Sequence, residues 1–281
     1  MSAVSFLPSR RRSARSARSP RPPGQRRHWV AGIYVALVLA FLFSPLIVMV
    51  LFSFHSVPRM SLPFAGFSLR WYREIFDDTL IMRAMARTAR AALMTGLATG
   101  ILGLAGALGL AGLRQRVRST LLVVALIPLT FPMLLYAIGL AIFYREAGIG
   151  FSLWATIGGH IVMALPFVFL IIGASLDRFR FTLLEAAYDL GASRLRAFWT
   201  VTLPLILPAV LGAMLLAMAL SVDEFVIAFF TAGQDKTLPL LMYGRINQGL
   251  DPTLNAVGTV LLVATTSLAF FAARRTTQET A

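Results

Sequence analysis

Residues 30–54 read VAGIYVALVLAFLFSPLIVMVLFSF, a run without one charged side chain. A helix needs about 20 apolar residues to cross the hydrocarbon of a bilayer. Five further stretches meet the same test: 91–113, 120–143, 153–176, 204–230 and 256–273. One such helix can be the buried core of a soluble protein, but six in one chain are improbable there. Spanning helices satisfy their own backbone hydrogen bonds, which an open sheet in lipid cannot do. The expected fold is therefore all-α: a polytopic membrane protein with six transmembrane helices.

Composition agrees. Of 281 residues, 58% are hydrophobic and 14% charged, with a mean hydropathy of +0.76; a soluble domain has roughly a quarter of its residues charged. The absence of cysteine excludes disulfides, thiolate metal sites and a cysteine nucleophile. The 26 basic residues include one lysine, Lys236, which follows Asp235. A phosphate-binding loop needs Gly-Lys-Ser/Thr, so this chain has none and binds no nucleotide in that way. No His/Asp/Ser cluster or metal-ligand spacing is present, so no catalytic residue, metal or cofactor is assigned.

Basic residues orient the spans. With the N-terminus in the cytoplasm, residues 1–29, 114–119, 177–203 and 274–281 carry 17 basic residues, against 9 on the other side. Both termini are thus expected to be cytoplasmic. The 1–29 tail, rich in Arg, Ser and Pro, reads as a solvated, disordered, orientation-setting tail with no nucleic-acid partner assigned. It is no secretory signal, because 30–54 is too long for a signal core and no small-residue cleavage site follows. On the outer side, Gly66–Phe76 mixes aromatic and charged residues at helical spacing. It predicts an amphipathic helix at the membrane surface, with Trp71 and Tyr72 at headgroup depth. In the second span, Gly96, Gly100, Gly103, Gly106 and Gly109 form a small-residue face for close packing.

The loop 177–203 differs from the other connections. Thr182 and Glu185 fit a capping box at the start of a short helix, Gly191 fits its left-handed stop, and Ser193 can cap a second helix ending at Pro204. Two acids, Asp223 and Glu224, lie inside a predicted span, where a charge is costly and is usually buried in the bundle, paired or functional. Adjacent helical positions point about 100° apart, so Asp223 is expected to face a transport pathway and Glu224 the bundle. A clamp with a polar partner such as His160 is the alternative. Phe225, Phe229 and Phe230 could add cation–π contacts.

Glu185-Ala186-Ala187, three residues, Gly191, nine residues and Val201-Thr202-Leu203-Pro204 resembles the E-A-A loop of ABC-importer permeases. The sole departure is Val201 for the usual Ile. The stretch Ser221–Val226, with Phe229, Phe230, Gly233 and Thr237-Leu238-Pro239, is similar to spermidine/putrescine-type permeases, as is Phe67–Tyr72. The resemblance covers about 30–273. It implies a type I importer architecture in which Glu185, Ala186, Ala187, Gly191, Leu203 and Pro204 form the joint to a separate ATPase. The implied partners are two ABC ATPase subunits that use the ATP, a second homologous permease, an extracytoplasmic solute-binding protein and membrane lipid. The implied location is the bacterial inner membrane, with 30–273 as the permease domain and 274–281 as a short tail. The implied cargo is a polyamine or related small solute; Asp223 and Glu224 are the candidate pathway residues on the cost argument above, not on the resemblance. The rival reading is a secondary transporter that uses those two acids as a cation or proton relay.

Overall fold

A computed structural model describes residues 26–58, 64–177, 181–247 and 252–277. The chain divides into two units, Met1–Ile47 and Val48–Ala281. Helix α1 (Arg26–Phe52) starts four residues before the expected span, and most of it belongs to the first unit. The greater part of the 1–29 tail lies outside the described residues.

In the second unit, α2 (Arg70–Asp77) is followed after one residue by α3 (Thr79–Ala111), so the second span begins well before Ala91. Next come α4 (Gln115–Leu126) and α5 (Met133–Glu146), then α6 (Leu153–Asp177), α7 (Phe181–Asp189) and α8 (Arg194–Ala197). The chain ends with α9 (Leu203–Asp223), α10 (Val226–Thr231), α11 (Leu238–Ile246) and α12 (Pro252–Thr277). Among the described residues five helices are long and apolar enough to cross a membrane, or six if the bent pair α4–α5 is one span.

The sequence places one span over 120–143 interrupted by Pro128 and Pro132, and the structure makes that interruption a sharp bend. α4 runs into a 3-10 turn, Ile127–Thr130, and α5 leaves it at 99°. Pro128 and Pro132 cause the break. Neither has an N–H for a helical carbonyl, and Pro132 drives Phe131 to an extended ψ of 139°. The expected span 204–230 is also broken, because α9 stops at Asp223 and Glu224 is extended before α10 begins.

Helices α3, α6 and α9 pack on one another, α12 covers α9, and α10 lies against α5 and α6. Their shared core includes Val168, Ile172, Ile206, Ala213 and Ile227. The glycine face of α3 is divided between two neighbours. A methyl group on Gly96 or Gly100 would meet Met218 or Met214 of α9, whereas on Gly103 or Gly106 it would meet Val168 or Phe169 of α6. Gly109 faces open space and is not part of the contact.

Helix α2 does not lie with its aromatic face in the headgroups. Trp71 is 3% exposed in a cluster with Ile81 of α3, Leu238 and Met242 of α11, and Val257 of α12. Its indole N–H donates to the His55 carbonyl, and Tyr72 shares a hydrogen bond with Ser53 at 2.7 Å. Trp71 and Ile75 of α2 are thus covered by protein, whereas Phe76 stays exposed.

Polar contacts fasten residues 235–245 to the start of α3. Asp78 caps α3, its Oδ1 accepting from the amides of Leu80 (2.8 Å) and Ile81 (3.1 Å), and its Oδ2 pairs with Arg245. Burial alone would raise the Asp78 carboxyl, but Arg245 and the two amides outweigh it and hold the group below the ordinary 3.8. Asp235 pairs with Arg87 at 3.0 Å and also accepts from the amide of Leu153, the first residue of α6, at 3.2 Å.

Candidate functional site: a docking loop and a carboxylate-lined cavity

Two features stand out, one at each end of α9. At its start, α7 closes with Gly191 at φ +81°. The Ala192 N–H donates to the Ala187 carbonyl (2.9 Å) and the Gly191 N–H to that of Tyr188 (2.8 Å), the paired bonds of a Schellman stop. Ser193 then caps α8, its hydroxyl accepting from the Arg196 amide. Helix, glycine turn and helix are thus all present as read. The capping box is not: α7 already includes Phe181, so Thr182 lies inside the helix, and residues 178–180 are outside the described residues.

Leu203 and Pro204 sit where α8 becomes α9. The turn between them, Phe198–Thr202, is a π-turn, with the Leu203 N–H reaching back to the Phe198 carbonyl. Pro204 offers no N–H to the Thr200 carbonyl, and its ring crowds that carbonyl. Widening the turn relieves both problems without breaking the axis, so one helix runs from Arg194 to Asp223. Glu185 and Ala186 are exposed and Ala187 half-buried. Beside them Leu190 (89%) and Leu195 (69%) are open, as are Tyr188 and Trp199. Small and large apolar groups are thus open together at the start of the long helix.

At the other end of α9, Asp223 and Glu224 both line a cavity of about 720 Å³. One wall is the α4–α5 elbow, with Pro128, Phe131 and Tyr136. Another is α9, with Leu216 and Leu220, and a third is α12, with Thr265 and Thr266. The expectation that only one acid could face the pathway assumed unbroken helix. The extended ψ of 114° at Glu224 removes the 100° step, and both acids reach the same space. Glu224 has a second task, because its Oε1 accepts from the Ile227 amide at 2.8 Å and so supports the start of α10.

His160 is not the partner of either acid. It is fully buried, its Nδ1 2.7 Å from the Ser221 hydroxyl, which reaches Thr95 of α3 at 3.4 Å. This seam joins the three central helices and is packing chemistry. Nor do Phe225, Phe229 and Phe230 line the cavity. Phe225 and Phe229 stack on Tyr243 of α11, with centroids 4.9 and 6.0 Å away. The aromatic side chains at the cavity are Phe131, Tyr136 and Phe167. Sequence reasoning missed Tyr136, Thr265 and Thr266. The threonine pair in an apolar span was the available signal for α12, and nothing local marked Tyr136.

A helical membrane bundle with an exposed elbow of short helices at one end and an acidic cavity toward the other defines a transport subunit. The chain belongs to the family of binding-protein-dependent transport system inner membrane components, whose model matches residues 99–276. It is accordingly a multi-pass protein of the inner membrane, of a family in which the ATPase is a separate partner. It is 32% identical to the spermidine/putrescine transport system permease protein PotC of Haemophilus influenzae over 86% of this chain and 94% of that protein. It is 31% identical to the putrescine transport system permease protein PotI of Escherichia coli K12 over 85% and 88%. A chain of a bacterial ABC transporter that imports the acidic polysaccharide alginate has the same fold (TM-score 0.66, 16% identity, 90% and 96% covered). So does one of the MetNI methionine transporter (TM-score 0.54, 19% identity, 72% and 99% covered). Membership of this family sets aside the self-sufficient secondary transporter.

Proposed function

We propose that this chain forms one side of the membrane pathway of an ATP-driven polyamine importer, with Asp223 and Glu224 as the groups that replace water around cationic cargo. The observation that carries this reading is the pair of carboxylates in one cavity, in a chain similar over most of its length to polyamine permeases. Each ammonium group of a polyamine loses hydration in a narrow passage and needs carboxylates or oriented oxygens in exchange. Tyr136, Thr265 and Thr266 supply further oxygens on the facing walls.

Glu185, Ala186, Ala187 and Gly191 dock in an ATPase subunit, and Leu203 and Pro204 carry its movement into α9. The complete assembly has two ATPases, a second permease and an extracytoplasmic binding protein. Both termini lie in the cytoplasm. This chain needs no cofactor of its own, since ATP is used by the partner.

The test is spermidine and putrescine uptake by proteoliposomes that hold the assembled transporter, with Asp223→Asn compared with the unsubstituted chain. Uptake is expected to fall while the ATPase stays bound. Undiminished uptake, or wild-type transport of an anionic solute, overturns the cargo assignment.

A further inference from the structure

The two walls of the cavity are connected to the docking loop in different ways. The α9 wall is continuous with it, because the helix that carries Asp223 begins at Arg194. The α4–α5 elbow opposite has no such continuity. Among the described residues, an ion pair joins it to the α6 end of that loop: Arg118 Nη2 of α4 lies 2.5 Å from Asp177 Oδ1. Asp177 is the last residue of α6, four positions before α7. Arg118 is on the first turn of α4, whose far end breaks at Pro128 into the cavity lining. Apolar side chains around the pair, among them Leu122 and Phe169, line a small cavity of about 190 Å³ between α4 and α6. Further along, the 3-10 turn of the elbow packs on α6.

We infer that the Arg118–Asp177 ion pair is a strut that transmits movement of the docking loop to the α4–α5 elbow, so that both walls of the cavity answer to the same nucleotide cycle. This rests on the reading of 181–203 as the ATPase-docking element. An exposed ion pair contributes little to stability, and Asp177 is 58% exposed. Its value is positional: it ties the first turn of α4 to the end of α6, and the sharp bend of the elbow lies at the far end of α4. Arg118 and Asp177 are positioning residues. They touch no cargo.

The experiment uses the assembled transporter and does not depend on the cargo. The chain has no cysteine, so paired spin labels can be placed at exposed positions: Val123 on α4 with Val263 on α12, and Leu207 on α9 with Val263. Distances are read with and without trapped ATP in the unsubstituted chain, Arg118→Asp, Asp177→Arg and the double exchange.

Both distances are expected to change with nucleotide in the unsubstituted chain. In each single variant the α9 change persists and the α4 change shrinks about tenfold in population. The double exchange restores it, and ATPase is retained throughout. An α4 distance that never responds, single variants with a full α4 response, or an exchange that restores nothing overturns the strut. Loss of ATPase from the unsubstituted chain, with neither distance responding, refutes the docking reading itself and removes the strut with it.

Discussion

Gly191 separates a conformational requirement from a steric one. Its φ of +81° lies in the left-handed region, and a Cβ built there meets nothing within 4 Å. A substitution therefore costs backbone energy alone, about 1–2 kcal/mol for an L-residue in this region. At 1.4 kcal/mol per decade, that depletes the docking-competent loop by roughly fivefold to thirtyfold. Asn tolerates the left-handed region far better than Ala or Val. Co-purified ATPase and uptake are thus expected to rank Gly191, then Asn, then Ala, then Val, with Asp below Asn because it adds charge to the docking surface. The assay is quantitative pull-down of the ATPase from detergent at equal membrane expression. Ala and Asn variants that behave alike would refute the reasoning, because a steric or purely chemical role cannot distinguish a free methyl from a larger amide in the opposite direction.

Glu224→Gln is expected to lose uptake about tenfold to a hundredfold, as Asp223→Asn does, since both acids meet the cavity and a charged contact is worth about 1.5–3 kcal/mol; retained amide acceptance from Ile227 should keep its melting temperature near normal, and uptake at wild-type rate would remove Glu224 from the pathway. Asp78→Ala removes both a helix cap and the partner of Arg245, with an expected cost of about 1–2 kcal/mol read as thermal shift. The folded Asp78 pKa lies below its ordinary 3.8, so this stabilisation is fully present above that value and is lost as pH falls through the lower folded pKa. The difference between Asp78→Ala and the unsubstituted chain should therefore vanish in strong acid, and a gap that widened there would contradict the sign. Gly100→Leu should destabilise by about 1–3 kcal/mol through overpacking against Met214, whereas Gly109→Leu, facing open space, should express normally. Impermeant cysteine labelling of right-side-out cells should reach position 69 and not position 190, and the reverse pattern would invert the topology.

Why the loop was legible and the cavity only half so has a physical cause. A Schellman stop is local: six residues, Ala187 to Ala192, and one positive φ decide it, and Gly191 announces it. The π-turn before Pro204 is equally local, although only the proline is visible in sequence and the widened turn is its consequence. The glycine face of α3 was legible as a packing surface, but its division between α9 and α6 depends on which neighbours arrive. Trp71 illustrates the same limit. Its helical spacing predicts one apolar face correctly, but the sequence cannot say whether lipid or protein covers it.

The acids illustrate the limit from the other side. Their cost in a membrane marks them from composition alone, yet the inference about which one faces the pathway relied on helical phase continuing through Glu224. It does not, and no proline or glycine at 223–225 warns of the break. The preceding break at Pro128 and Pro132 is announced, and its meaning changes once the fold is seen. Those prolines turn the chain by nearly a right angle and bring Phe131 and Tyr136 opposite the carboxylates. The cavity thus exists because two helices fail at matching depth, one for a covalent reason and the other because Glu224 folds back to hold the amide of Ile227. Glu224 ends one helix, supports the start of the next and lines the cavity, and so combines a structural task with the proposed transport role.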